Sequence, residues 1–284
     1  MPPATDQDQA QAKSRIARLT KVDDTDVARI AQDRIAQSPI DDLMERASHA
    51  LEATDYYKTE SLCLKALDRA RRFGDFERMS RIIMPLQEAR RQKRHLAYEA
   101  AEARGGPTVC RERPAVVEPG VYILEPPALG IDGRALRDTA EGRRVPAVVL
   151  TREPMTRDGS WPIVSVGSIP IGPGVLTLRE KITPPVPLER IETGIRKDEF
   201  EPSMLAGTDW AAWMQAALEA LGDAAIRSVD AGLAPAWRVD ELIERLDAHP
   251  DHEKLHQALA AACRQAAREP VPTGERPRHG SNSF

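Results

Sequence analysis

Aromatic residues are scarce in this chain, 4% of its 284 residues, so its cores must be assembled from Ala, Leu, Val and Ile, a composition that favours alanine-rich helices. Cysteine is scarcer still. Cys63, Cys110 and Cys263 are odd in number, far apart and without a paired Cys-x-x-Cys spacing, which offers no disulfide framework and fits a reduced intracellular setting. Long apolar runs are missing too: no stretch approaches the roughly 20 residues that span a bilayer, and the opening MPPATDQDQAQAKSR lacks the apolar segment of a secretory leader. A soluble cytoplasmic protein with no membrane partner is expected. Neither charge sign dominates, with 40 Lys and Arg against 44 Asp and Glu and a net charge of -4. Any nucleic-acid or acidic-lipid footprint would therefore have to be local.

What is present is helical periodicity. Tyr56, Thr59, Cys63, Ala66 and Ala70 recur at the three-and-four spacing of one helix face, and Phe76, Met79, Ile83 and Leu86 repeat it after a Gly74-Asp75 break. Helices are predicted at about 41 to 53, 55 to 72 and 75 to 104, with Asp55 and Asp75 as N-caps accepting the first free amide protons. Pro85 removes a hydrogen bond inside the last of these, so a kink or break is predicted near Met84.

The chain divides by composition. Residues 1 to 20 are a polar, Gln-rich tail, and residues 21 to 105 a helical module that opens with a short helix from Val22 to Gln37. After Gly105-Gly106-Pro107 the pattern turns strand-like, giving a small α/β domain over residues 106 to 200. Val121 to Leu124 and Val145 to Leu150 flank a helix-compatible segment from Asp132 to Arg143, a strand-helix-strand unit whose strands should run parallel. Two further strands, Ile163 to Val166 and Val175 to Ile182, suit a hairpin across a Gly and Pro cluster. A helical section over residues 201 to 268 and a Pro- and Arg-rich tail over residues 269 to 284 complete a mixed α and β chain.

The stretch from Ala53 to Leu67, ATDYYKTESLCLKAL, resembles the second helix of a tetratricopeptide repeat, in a likeness confined to residues 41 to 90. Ala47 and Thr59 keep the helix-crossing positions small and Ala66 matches the alanine of that pattern. Arg46 stands where a buried leucine belongs, Arg71 replaces the terminal proline, and the helix at Phe76 does not open a second repeat in register. The resemblance implies an α-hairpin stack that presents a surface to a protein partner. The plain alternative is an antiparallel helix pair packed on its own protein.

Three strings bear on chemistry. His252-Glu253-Lys254-Leu255-His256 matches the H-E-x-x-H zinc-protease pattern, yet Lys254 puts a charge inside it, Pro250 sets it at a helix start, and a downstream third ligand on a stable element is missing. No metal is expected, and the residues read as an exposed helix face. Arg90-Arg91-Gln92-Lys93-Arg94 is the densest basic run; without aromatic neighbours and with Glu88, Glu99 and Glu102 nearby, it reads as a solvated face and not a nucleic-acid stripe. Gly167, Gly172 and Gly174 lack a Gly-Lys-Ser/Thr ending, so they shape turns, and no cofactor is expected.

One positional site remains. If the two central strands are parallel, Glu125, Asp132, Arg152 and Glu153 lie near their carboxyl ends, where open α/β sheets place ligands. No nucleophile and base accompany them, so no catalytic residue is legible. The sequence thus favours a protein-interaction or scaffold module built on helical hairpins. The alternatives are a ligand-binding or enzymatic α/β domain using that polar edge and, more remotely, a zinc hydrolase through the HEKLH string.

Overall fold

The computed structural model describes residues 39–168, 175–185, 205, 207–270 and 272–274. The predicted helix from Val22 to Gln37, the N-terminal tail, most of the C-terminal tail, residues 186–204, and Gly172 and Gly174 lie outside them. Residues Met44–Phe284 form one compact unit, distinct from Met1–Leu43. The described residues contain seven helices and a five-stranded mixed sheet.

The first helix, α1, covers 39–52, and α2 (Tyr56–Arg72) and α3 (Phe76–Ala103) follow across tight turns. Both predicted caps form: the Asp55 carboxylate accepts from the Lys58 amide at 3.1 Å and Asp75 from Arg78 at 3.0 Å. The two predicted apolar stripes face each other, with Thr59, Cys63, Ala66, Ala70, Met79 and Leu86 all fully buried. Small residues on α2 let the larger ones on α3 approach its backbone, so this pair packs as a ridge of Met, Ile and Leu against a shallow alanine groove. The expected break near Met84 is absent, because α3 continues through Pro85 for 28 residues. Pro85 withholds a bond from the Arg81 carbonyl, but Arg81 and Met84 are exposed, so water reaches the freed group. Burial of Met79, Ile82, Ile83 and Leu86 on the opposite side keeps the helix running.

Strands β1 (Thr108–Cys110), β2 (Gly120–Leu124), β3 (Ala147–Arg152), β4 (Trp161–Ser168) and β5 (Val175–Ile182) pair in chain order. The first three are parallel and the last two join antiparallel. The predicted parallel pair is present, with Tyr122 opposite Val149 and Ile123 opposite Leu150, and α4 (Gly130–Gly142) crosses between them. Strand β1 was not foreseen; three residues are too short to display a period.

Every residue of β2 is buried, as a strand covered on both faces must be. Tyr122 and Leu124 meet Leu136 and Ala140 of α4 on one face. On the other, Val121, Ile123, Leu150 and Ile163 share a core with Ala97 and Ala101 of α3 and with α5 (Trp210–Arg227) through Met214, Leu218 and Leu221. Helices α6 (Pro235–Ala248) and α7 (Glu253–Ala266) pack on each other, and α7 lies against α3. Gly167 is in β4, not in a turn: a Cβ there would sit 2.9 Å from the Ala248 amide nitrogen, so glycine is what lets the end of α6 touch the sheet. The long helix α3 thus belongs at once to the N-terminal hairpin and to the sheet's core.

Candidate functional site

The four residues expected at the strand ends do not act as one group. Glu125 and Arg152 do meet, as a buried ion pair of 2.7 Å, with the Arg152 guanidinium 4.5 Å above the Trp161 ring. Arg111 reaches the same carboxylate at 3.0 Å. Charges this deep persist only when paired, and these are held by one another and by the indole face. Asp132 serves α4 instead, its carboxylate accepting from the Leu129 amide at 2.9 Å with Arg113 3.7 Å away. Glu153 pairs at 2.6 Å with Arg179 on β5.

The basic run departs from its expected solvated face. Arg91 is exposed and pairs with Glu88, but Arg90 is 7% exposed and bonds Glu60 of α2 at 2.7 Å. Lys93 bridges Glu60 and Glu141 of α4 and sits 4.5 Å from the centre of the Tyr57 ring. Arg94 donates to the Asp251 carbonyl at 2.6 Å and pairs with Glu253. One turn of α3 therefore ties together α2, α4 and the start of α7. Burial pushes the Glu60 carboxyl up, but Arg90 and Lys93 outweigh it and hold the group at about 2.

These charges line a cleft of about 190 Å³ between α2, α3, α4 and the corner from Asp247 to Asp251 that joins α6 to α7. Each helix contributes a stripe at helical spacing beside its core face: Tyr57, Glu60 and Leu64 from α2; Arg90, Lys93 and Arg94 from α3; Arg134, Arg137, Asp138 and Glu141 from α4. Basic and acidic linings balance, five of each, so the cleft has no large net field. Arg134 pairs with Asp138 and Asp247, while Arg137 donates to the Ala248, Asp247 and Val166 carbonyls at 2.9 to 3.3 Å, covering the end of α6 where carbonyls lack partners. Two polar groups stand apart. The Tyr57 hydroxyl is buried without a hydrogen-bond partner among the described residues, and its phenol is kept neutral by burial and by Glu141 and Glu60. The Asp251 carboxyl makes no hydrogen bond among them, and burial raises it despite Arg137, Arg94, Lys93 and Arg90 nearby.

Sequence reasoning missed Tyr57, Asp251 and the cleft. The polar stripe 57, 60, 64 was readable as a second face of α2, but nothing in the sequence says that α4 and the α6–α7 corner would close over it.

The two histidines of the HEKLH string are buried, each 1% accessible, while Lys254 between them stays exposed. The two imidazoles do not converge. His256 Nδ1 is 2.9 Å from the His252 carbonyl, to which it donates, leaving Nε2 to accept from Arg90 at 3.3 Å. His252 turns the other way, its Nδ1 accepting from the Leu255 amide at 3.1 Å as the N-cap of α7 and its Nε2 lying 3.4 Å from both Glu219 and Asp223 of α5. That trio brings three ligand atoms within 4.8 Å of one another. The cap bond, however, uses the Nδ1 lone pair, so a neutral ring carries its proton on Nε2, the atom a metal would need. Lys254 already places its ammonium 3.1 Å from Glu219 and 3.2 Å from Asp223. The arrangement suits proton chemistry better than metal chemistry.

No family model, curated protein or solved structure matches this chain, so its site is read from its own residues.

Proposed function

We propose that this protein binds a small polar molecule in the cleft between α2, α3, α4 and the α6–α7 corner. The observation that supports it is the Tyr57 hydroxyl, a buried donor and acceptor without a partner at the wall of a cavity. Such a group is costly unless water or a ligand completes it. A volume of about 190 Å³ is small beside sites for drug-sized molecules, which begin at about 300 Å³. Balanced wall charges disfavour a multiply charged anion and suit a compact molecule with several hydroxyl or amide groups, which can donate to Asp251 and exchange bonds with Tyr57. Thermal-shift screening of monosaccharides, hydroxy acids and amino acids, followed by calorimetry on any hit, tests this. Tyr57→Phe and Asp251→Asn should each weaken the hit about tenfold or more while leaving the melting temperature of the free protein nearly unchanged. A panel without hits, or affinity indifferent to both substitutions, would refute the reading.

A second reading, partner recognition by the helical hairpin, draws on its outward apolar residues: Phe73 is 52% and Met84 73% exposed. Against it, the rest of α3 is occupied by α7 and the sheet. Nucleic acid finds little support, because Arg90, Lys93 and Arg94 are spent on internal partners. No helix among the described residues is long and apolar enough to cross a membrane. A cytoplasmic setting fits three free thiols that burial raises to about 11 or 12.

A further inference from the structure

We propose that His252 is an acid-sensitive latch on the Asp251 wall of the cleft: neutral, it caps α7 and fixes the corner, and on taking a proton it releases both. This inference deepens the ligand-cleft reading and rests on it for its meaning.

The latch turns on one nitrogen. His252 Nδ1 accepts the Leu255 amide proton, the role that Asp55, Asp75 and Asp209 fill on other helices. A carboxylate cap keeps its lone pairs at any ordinary pH. An imidazole loses its lone pair on protonation, so the cap becomes a donor facing another donor 3.1 Å away, and a positive charge lands at a helix N-terminus. The ring has no room to step aside: a Cβ on Gly222 of α5 would lie 2.1 Å from it, so it occupies a notch that only glycine leaves open.

The surroundings provide for the charge while forbidding the geometry. Glu219 and Asp223 of α5 face Nε2 at 3.4 Å and favour the imidazolium, while Lys254 of α7, bonded to both, opposes it. From the α6–α7 corner the His249 ring lies 5.9 Å away, and His256 takes the His252 carbonyl. Arg94 of α3 holds the adjoining backbone through the Asp251 carbonyl and the Glu253 carboxylate. His249 and His256 have no carboxylate within ion-pairing distance among the described residues, and burial presses both down to about 3. Burial lowers His252 too, but its two acidic neighbours work against that, which makes it the first of the three to accept a proton. Asp251, the preceding residue, is part of the cleft wall, so a freed cap loosens the wall itself.

Hydrogen exchange read by NMR on the free protein between pH 8 and pH 5, corrected for intrinsic exchange, tests the latch. Protection at the Leu255 amide should fall about tenfold across that range, the scale of losing one N-cap. The Asp251 amide resonance should shift with the same midpoint. In His252→Asn the side-chain oxygen accepts at every pH, and the fall should vanish. Glu219→Gln with Asp223→Asn keeps the imidazole cap and should move the midpoint to lower pH, which carries the test if His252→Asn does not fold. Constant protection in the unaltered protein, an equal fall in His252→Asn, or an unmoved midpoint in the double variant would each overturn the latch. A static Asp251 resonance would overturn its coupling to the cleft. No ligand is present, so none of these outcomes is confused with failure of Tyr57→Phe to affect binding.

Discussion

The side chains that decide this molecule are charged residues out of water. Glu60 is held between Arg90 and Lys93, and replacing it with Gln strands the buried Arg90 without a carboxylate and leaves Lys93 with Glu141 alone. Chemical denaturation should show a loss of about 3 to 5 kcal/mol for Glu60→Gln. Glu88→Gln, which removes the exposed partner of Arg91, should cost less than about 1 kcal/mol. Equal effects would mean that the Glu60 cluster is more hydrated than its burial indicates. Arg137 illustrates the same economy without a carboxylate partner: its guanidinium serves carbonyls at the end of α6 and links that helix to β4.

At the scale of elements, the helices are stabilised by faces and caps more than by intrinsic propensity. Ile83 is 1% exposed on the face of α3 that meets α2, so Ile83→Asp places an unpaired carboxylate in that seam. A lowered melting temperature and lost helical signal are expected, and an unaltered transition would show that the seam is not closed. Pro85 supplies the opposite test. Because α3 already continues through it, Pro85→Ala should restore one backbone bond and raise stability by about 1 to 3 kcal/mol, measured by denaturation. Destabilisation would instead mean that the ring packs usefully or that the chain before it depends on the missing bond.

The whole molecule responds to pH through buried histidines. His249 and His256 are held at about 3, whereas an unfolded histidine titrates near about 6.5, so between these values the unfolded state binds more protons. Their contribution is complete above about pH 6.5 and declines as pH falls, by about 1 kcal/mol per residue per pH unit. Glu60, held low, adds a loss of the same sign once pH drops below the ordinary carboxylate range. Asp251 and Glu141, raised by burial, act oppositely and recover stability as they protonate. Urea midpoints measured from pH 7.5 to pH 5 should therefore fall, and His249→Gln or His256→Gln should flatten the slope. A flat profile in the unaltered protein would show that the carboxyl groups cancel the histidines.

Local chemistry was written in the sequence and is recovered in the structure. The Asp55 and Asp75 caps, the α2 and α3 stripes, the paired strands around α4 and the antiparallel hairpin all follow from spacing over fewer than about 20 residues, because capping, amphipathic burial and turn geometry are short-range effects. Tertiary packing decided everything that depends on which surfaces meet. The run from Arg90 to Arg94 looked solvated until α4 and the α6–α7 corner supplied Glu141, Asp251 and Glu253, and the HEKLH histidines looked exposed until α3 and α5 covered them. Pro85 was a helix breaker by local rules and became a tolerated residue once burial on the far side outweighed one lost bond. Charge and periodicity fix which face of a helix is polar, but whether that face meets water, a carboxylate or a ligand depends on residues more than 150 positions away, as with Arg94 and Glu253 at a separation of 159.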